Sequence, residues 1–205
     1  SARRALPGDV DMFEVMAHVR AHMPEGVVCT NGAGNFATWL HRFYPLAGWA
    51  ANGVRQQLAP TNGAMGYGVP AGVAAALETG RPVLTFTGDG DFLMNGQELA
   101  TATSQGVKTV VVLLNNGMYG TIRMHQEREY PGRTSGSSLA NPDFVALAKA
   151  YGYQACRVSR TADFAQAWAD AWASEGGYLI EVMLDPEVIT PKASLSDIRQ
   201  AALAR

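Results

Sequence analysis

Two consecutive apolar runs of this sequence end in side chains that can hold a metal ion. Thr87-Gly88-Asp89-Gly90-Asp91 leaves the first run, Asn115-Asn116 closes the second, and Asp89 and Asn116 stand 27 positions apart. Asp89 offers a carboxylate and Asn116 an amide oxygen, and the turn that follows offers a main-chain carbonyl, with Met118 the expected donor. Mg²⁺ takes about six hard oxygen ligands and keeps phosphate oxygens and water among them. The amides of Gly90 and Asp91, with the start of a helix predicted over 95–104, aim partial positive charge at an anion, so a metal-bridged diphosphate completes the set. In that helix Glu98, three residues after Asn95, is expected to form a capping box rather than to act in catalysis.

For two donors so far apart to meet, the chain between them must return to the same edge of a sheet. Residues 83–87 and 109–114 are short apolar runs rich in β-branched residues, as buried parallel strands are. A strand, a helix and a parallel strand make one right-handed crossover, which places Asp89 and Asn116 at neighbouring strand C-terminal ends. Helices are predicted over 11–23, 35–43, 64–77, 142–151 (capped by Asn141) and 162–174 (capped by Thr161). Pro70 is expected to mark an early turn or a kink. Further strands are predicted over 27–30, 154–158 and 178–183, with an irregular stretch between 44 and 62. The alternation predicts an α/β fold: a doubly wound, mainly parallel sheet with helices on both faces. Residues 117–141 hold few apolar side chains and read as a structureless active-site loop, and 186–205 as a C-terminal tail.

Other readings of the glycine-rich segments fail at named positions. A calcium loop starting at Asp89 would need an oxygen ligand at Leu93, Gly at Met94 and an acid at Ala100. Gly32-Ala33-Gly34-Asn35-Phe36-Ala37 follows a strand as a dinucleotide fingerprint does, yet no acid lies between Gly26 and Leu77 to hold a ribose. Gly32 and Gly34 are therefore expected to form a turn that lets a backbone or ligand come close.

The 205 residues are 47% hydrophobic with a formal charge of −2, which suits one α/β domain over 1–205 and gives no basic run for a nucleic acid. No apolar stretch approaches the roughly 18–20 residues of a membrane span, and the first residues lack a signal-peptide core, so a cytoplasmic protein is expected. Cys29 and Cys156 read as reduced thiols.

Gly63-Ala64-Met65-Gly66-Tyr67-Gly68-Val69-Pro70-Ala71, Gly88-Asp89-Gly90 with Met94-Asn95 and Gln97-Glu98-Leu99, and Asn115-Asn116-Gly117 together resemble thiamine diphosphate enzymes of the acetolactate synthase, pyruvate oxidase and benzoylformate decarboxylase type. The resemblance covers nearly the whole chain and matches their C-terminal, diphosphate-binding domain. It implies thiamine diphosphate and Mg²⁺ as cofactors, with Asp89, Asn116 and the Met118 carbonyl on the metal. It implies Met65 as the wedge under a V-shaped cofactor and the Gly63 carbonyl as acceptor from the aminopyrimidine. Gly88, Gly90, Asp91, Tyr119 and Gly120 complete the cofactor-binding set.

The reaction implied is decarboxylation of a 2-oxo acid with transfer of the carbanion equivalent, by a transferase or a lyase. A non-catalytic or regulatory module that keeps the fold is the alternative of another class. In such enzymes a separate N-terminal pyrimidine-binding domain, usually from the partner subunit, supplies a Glu. A longer enzyme and a homodimer or homotetramer are therefore expected, and FAD has no support in these residues. Acetolactate synthases carry a Met and a Trp where Thr121 and His125 stand here, and His125 is a candidate for proton transfer.

Overall fold

The computed structural model describes residues 4–44 and 57–205. Asp11 opens α1 (Met12–His22) by accepting from the Phe13 N–H at 2.8 Å, and Met12, Val15, Met16 and Val19 line the face that α1 buries. In chain order follow β1 (Val28–Asn31), α2 (Ala37–Phe43), β2 (Gln57–Leu58), α3 (Gly68–Thr79) and β3 (Val83–Gly88). Next come α4 (Asp89–Asn95), α5 (Leu99–Ser104), β4 (Thr109–Asn115), α6 (Gly120–Glu129) and α7 (Phe144–Ala150). β5 (Gln154–Val158), α8 (Phe164–Ala173), β6 (Tyr178–Met183) and α9 (Leu195–Leu203) complete the order. The expected irregular stretch between 44 and 62 lies largely outside the described residues.

The six strands run in the order β2-β1-β3-β4-β6-β5 and every pairing is parallel. Successive side chains of β3 and β4 point to opposite faces, so both faces must be covered. Leu84, Phe86, Val110 and Val112 pack with α1, α2 and α8, whereas Val111 and Leu113 pack with α3, α4, α5 and α7. Helices of seven residues such as α2 and α7 are marginal alone. Each fully buried Leu or Phe contributes about 1.5–3 kcal/mol, so these two cores hold the short helices. The expected doubly wound sheet is the one observed.

Close packing of α3 on β1 and β3 follows from its small residues. A Cβ on Gly72 would lie 2.6 Å from the Thr85 hydroxyl, which itself lies 2.7 Å from that of Thr30. Pro70 falls in the first turn of α3, where its missing N–H costs nothing. Cys29 and Cys156 are free thiols, and burial pushes Cys29 up to about 12. From β1 the chain leaves through α2 to β2 on one side, and from β3 it leaves through α4 and α5 to β4 on the other. Outside the strand ends at such a switch point, open α/β sheets form their crevice.

Several expected boundaries shift. Asp143, not Asn141, caps α7, accepting from the Val145 and Ala146 N–H groups at 3.0 and 3.2 Å. Thr161 does not cap α8; its hydroxyl accepts from the Asp11 N–H at 2.8 Å and ties α1 to the turn before α8. Residues 117–141 are not structureless: 120–129 form α6, and Ser138 bridges back to Met118 through Tyr119 N–H to Ser137 O and Leu139 N–H to Gly117 O, both 2.9 Å. Arg123 donates to the Ser137 and Ser138 hydroxyls, which pins this return. The tail likewise holds α9, whose Ser194 and Asp197 form a reciprocal cap.

α9 packs on α6 across one ion pair. Glu127 is 0% exposed and takes both Arg199 Nε at 2.7 Å and Nη2 at 2.6 Å. The guanidinium holds this carboxyl below its ordinary value. Its stabilisation is therefore complete above the unfolded carboxyl value of about 4.3 and is lost as pH falls below that toward the depressed folded value. Arg199→Ala is expected to cost about 2 kcal/mol at pH 7 by urea denaturation, less than a fully buried pair because Arg199 is partly open. The difference should shrink as pH falls below about 4, while Arg160→Ala, which removes an exposed pair, should leave the midpoint unchanged.

Candidate functional site

β3 ends in Gly88, and α4 begins at once with Asp89. The helix thus starts six residues earlier than expected, runs to Asn95, passes through a 3₁₀ turn at Gly96–Glu98 and resumes as α5. The capping box at Asn95 does not form: Asn95 Nδ2 donates to Gly66 O at 3.2 Å and Glu98 accepts from the Thr101 hydroxyl at 2.6 Å. Tertiary contacts explain the early start. Asp91 Oδ1 accepts from Ala33 N–H at 3.0 Å and Gly66 N–H at 2.9 Å, and Oδ2 from the Thr87 hydroxyl at 2.7 Å. One buried carboxylate therefore fixes the turn after β1, the loop before α3 and the end of β3. Gly32 gives it room, since a Cβ there would lie 2.0 Å from Asp91 Oδ2.

Asp89 is 2% exposed. Its Oδ1 accepts from the Gly90 N–H at 3.0 Å, so this amide is engaged within the turn rather than open to an anion. Oδ2 accepts from Gly117 N–H at 2.9 Å and from Asn141 Nδ2 at 2.8 Å. Burial raises the Asp89 pKa and these hydrogen bonds only partly offset it. Among the described residues no Arg, Lys or His pairs with it. Asn116 lines the same crevice, and its carboxamide makes no hydrogen bond to the described residues. The bonds that flank Met118 in the bridge to Ser138 use the Gly117 and Ser137 carbonyls and leave the Met118 carbonyl outside the ladder.

The crevice holds about 580 Å³ of empty space, its open mouth included. Gly88, Asp89, Gly90, Asp91, Asn116, Met118, Tyr119 and Gly120 line it, and Met65 reaches it from the loop before α3. The Tyr119 ring lies against Gly90, where a Cβ would meet it at 2.6 Å, and a Cβ on Gly120 would lie 2.9 Å from the end of the Ile189 side chain. Gly63 lies on an exposed turn at φ +70° and does not line the crevice. Among the described residues no three His, Cys, Asp or Glu side chains gather to hold a metal. The site offers one carboxylate with amide and carbonyl oxygens, a donor set suited to a hard cation whose other ligands come from a bound anion.

Residues 32–182 match the model of the thiamine pyrophosphate enzyme C-terminal TPP-binding domain. The chain belongs to this family. It is 30% identical over 202 residues to the probable acetolactate synthase large subunit of Methanocaldococcus jannaschii, covering 93% of this chain and 32% of that protein. The acetolactate synthase isozyme 1 large subunit of Escherichia coli is 31% identical over 172 residues, covering 82% and 30%. A thiamine diphosphate-dependent 4-hydroxybenzoylformate decarboxylase of Rhodococcus jostii superposes with a TM-score of 0.79 at 28% identity, over 90% of this chain and 34% of that chain. The chain thus spans about a third of the length of these relatives.

This TPP-binding domain also draws on the glycine-rich turn after β1, where Gly34 was expected to let a backbone or ligand come close, and on residues that the motifs did not reveal. Ala33, Gly34, Asn35, Phe36 and Trp39, from the turn after β1 and from α2, line the crevice, as do Leu184, Val188 and Ile189 beyond β6. Asn141 was hidden because two side chains compete to cap one helix. The pair Asn141 and Asp143 around Pro142 is the signal that one of them is released for another task. His125 stands exposed on α6 and does not line the crevice, whereas Thr121 does, its hydroxyl accepting from Asn35 N–H at 2.9 Å. Asp91→Ala is expected to cost about 3 kcal/mol by urea denaturation, because it leaves two N–H groups and a hydroxyl without their acceptor. Asp91→Asn, which keeps an acceptor oxygen, should cost about 1 kcal/mol.

Proposed function

We propose that this domain binds Mg²⁺ and thiamine diphosphate in an enzyme that decarboxylates a 2-oxo acid and passes the remaining acyl-anion equivalent to an acceptor carbonyl or a proton. The observation that carries the reading is Asp89, a buried carboxylate that no cation pairs with among the described residues, opening on a crevice next to Asn116, whose carboxamide has no partner among them. A divalent ion reverses the desolvation that raises such a carboxyl. The donor set therefore fits Mg²⁺.

Asp89, Asn116 and the Met118 carbonyl would hold the metal, and Met65 would support the bent cofactor, with the Gly63 carbonyl accepting from its aminopyrimidine. Gly88, Gly90, Asp91, Tyr119 and Gly120 form the wall on which the diphosphate is oriented. Phe36 and Tyr119 cover the strand ends and exclude water. When bound, thiamine diphosphate supplies the carbon nucleophile and the electron sink for decarboxylation. The pyrimidine-binding domain with its Glu, contributed by a partner subunit in a homodimer or homotetramer, completes the site.

A lyase is the second reading. It is favoured by Thr121 on the crevice wall, where acetolactate synthases carry a larger Met, and by the likeness to a 4-hydroxybenzoylformate decarboxylase. In the full-length protein, CO₂ release from pyruvate or benzoylformate should require both thiamine diphosphate and Mg²⁺ and be lost in Asp89→Ala. Free aldehyde as product identifies the lyase, and a lengthened 2-hydroxy ketone the transferase. No turnover across a panel of 2-oxo acids would assign the fold to a non-catalytic module.

A further inference from the structure

Behind the crevice, hydrogen bonds run from the surface to Asp89 with one permitted polarity. Glu181 on β6 is 1% exposed, and its two oxygens take Arg157 Nε at 2.7 Å and Asn115 Nδ2 at 2.8 Å. A carboxylate only accepts. The Asn115 carboxamide must therefore turn its nitrogen to Glu181 and its oxygen to the other side, where that oxygen accepts from Gly117 N–H at 3.1 Å and Asn141 Nδ2 at 2.9 Å. Asn141 Nδ2 gives its other hydrogen to Asp89 Oδ2 at 2.8 Å. Arg157 Nη2 also reaches Asp143 Oδ1 at 3.1 Å, two residues past Asn141, so the circuit closes on itself.

One atom of this circuit has no answer. Asn141 Oδ1 is buried without a partner, a state that costs about 1–3 kcal/mol. Amide flips normally relieve such an atom. Here a flip would set oxygen against both Asp89 Oδ2 and Asn115 Oδ1, so Glu181 and Arg157 lock the unpaired oxygen in place.

We infer that Asn141 is a positioning residue of the cation site, its nitrogen holding Asp89 Oδ2 in place while Asn115, Glu181 and Arg157 fix the orientation of its carboxamide. The inference rests on the Mg²⁺ reading above. Groups that orient metal ligands typically change affinity 10- to 100-fold. The sequence from Arg157 to Asn141 then has a purpose beyond capping α7. It holds the donor that orients Asp89, at the cost of one unpaired oxygen.

The test is Mn²⁺ binding to the full-length protein at saturating thiamine diphosphate, read from the electron paramagnetic resonance of the free ion and checked against the thermal midpoint without metal. Asn141→Ala should raise the Mn²⁺ Kd about 10- to 100-fold. Asn141→Asp replaces the donor hydrogens with a second negative charge against Asp89, so its metal-free midpoint should fall and Mn²⁺ should raise it by more than in the parent. If Asn141→Ala does not fold, this larger metal response decides. A folded Asn141→Ala with the parent Kd, or an Asn141→Asp with a metal response no larger than the parent's, overturns the inference. Asp89→Ala separates the two claims: Mn²⁺ affinity lost there but intact in Asn141→Ala refutes the role of Asn141 alone, and affinity intact in both refutes the cation site itself.

Discussion

Two buried carboxylates, two residues apart at the end of β3, set the terms for everything around them. Taking such a charge out of water costs several kcal/mol unless it is paired or hydrogen-bonded. The protein answers Asp91 completely, with donors from three chain segments that would otherwise have no reason to converge. Among the described residues it answers Asp89 with N–H groups but no cation, and leaves it facing a crevice. One carboxylate builds the site, and the other is the one for which we propose a ligand. The same division explains the glycines: Gly32 admits the Asp91 side chain, and Gly90 admits the Tyr119 ring beside Asp89.

The parallel sheet makes this economical. Because β1, β3 and β4 are neighbours and parallel, the turns that leave them share one rim, and residues far apart in sequence meet there without long loops. The partly charged environment beyond that rim is held in turn by α6 and the returning segment, which are fixed to the body through Glu127 and Arg199. Membership in the TPP-binding family and the doubly wound fold agree with this arrangement of strand ends.

What the sequence displayed was whatever depends on burial pattern. β1, β3 and β4 were legible as apolar or β-branched runs, β6 as one broken only by Glu181 and β5 mainly by its place in the alternation, and the convergence of Asp89 with Asn116 followed from their positions after β3 and within the turn after β4. β2, with two residues, carries no pattern at all. The start of α4 was masked because Gly88-Asp89-Gly90-Asp91 has the composition of a turn, and only the contacts of Asp91 turn it into a first helical turn. Residues 117–141 looked unstructured because their side chains are polar. Their partners, Arg123 with Ser137, Gln126 with Ser137 and Glu127 with Arg199, are tertiary and leave no period in the sequence. Asn141 was misplaced for the same reason: its local chemistry as a cap was sound, and a neighbouring Asp took that role.

The central claim is that the open Asp89 and Asn116 hold a metal for a diphosphate. Calorimetric titration of thiamine diphosphate into the full-length protein, once with Mg²⁺ and once with a chelator, tests it most directly. The account predicts saturable binding with Mg²⁺ that is abolished by the chelator and restored by adding the metal back. Binding of equal affinity in both, or none in either, would contradict it.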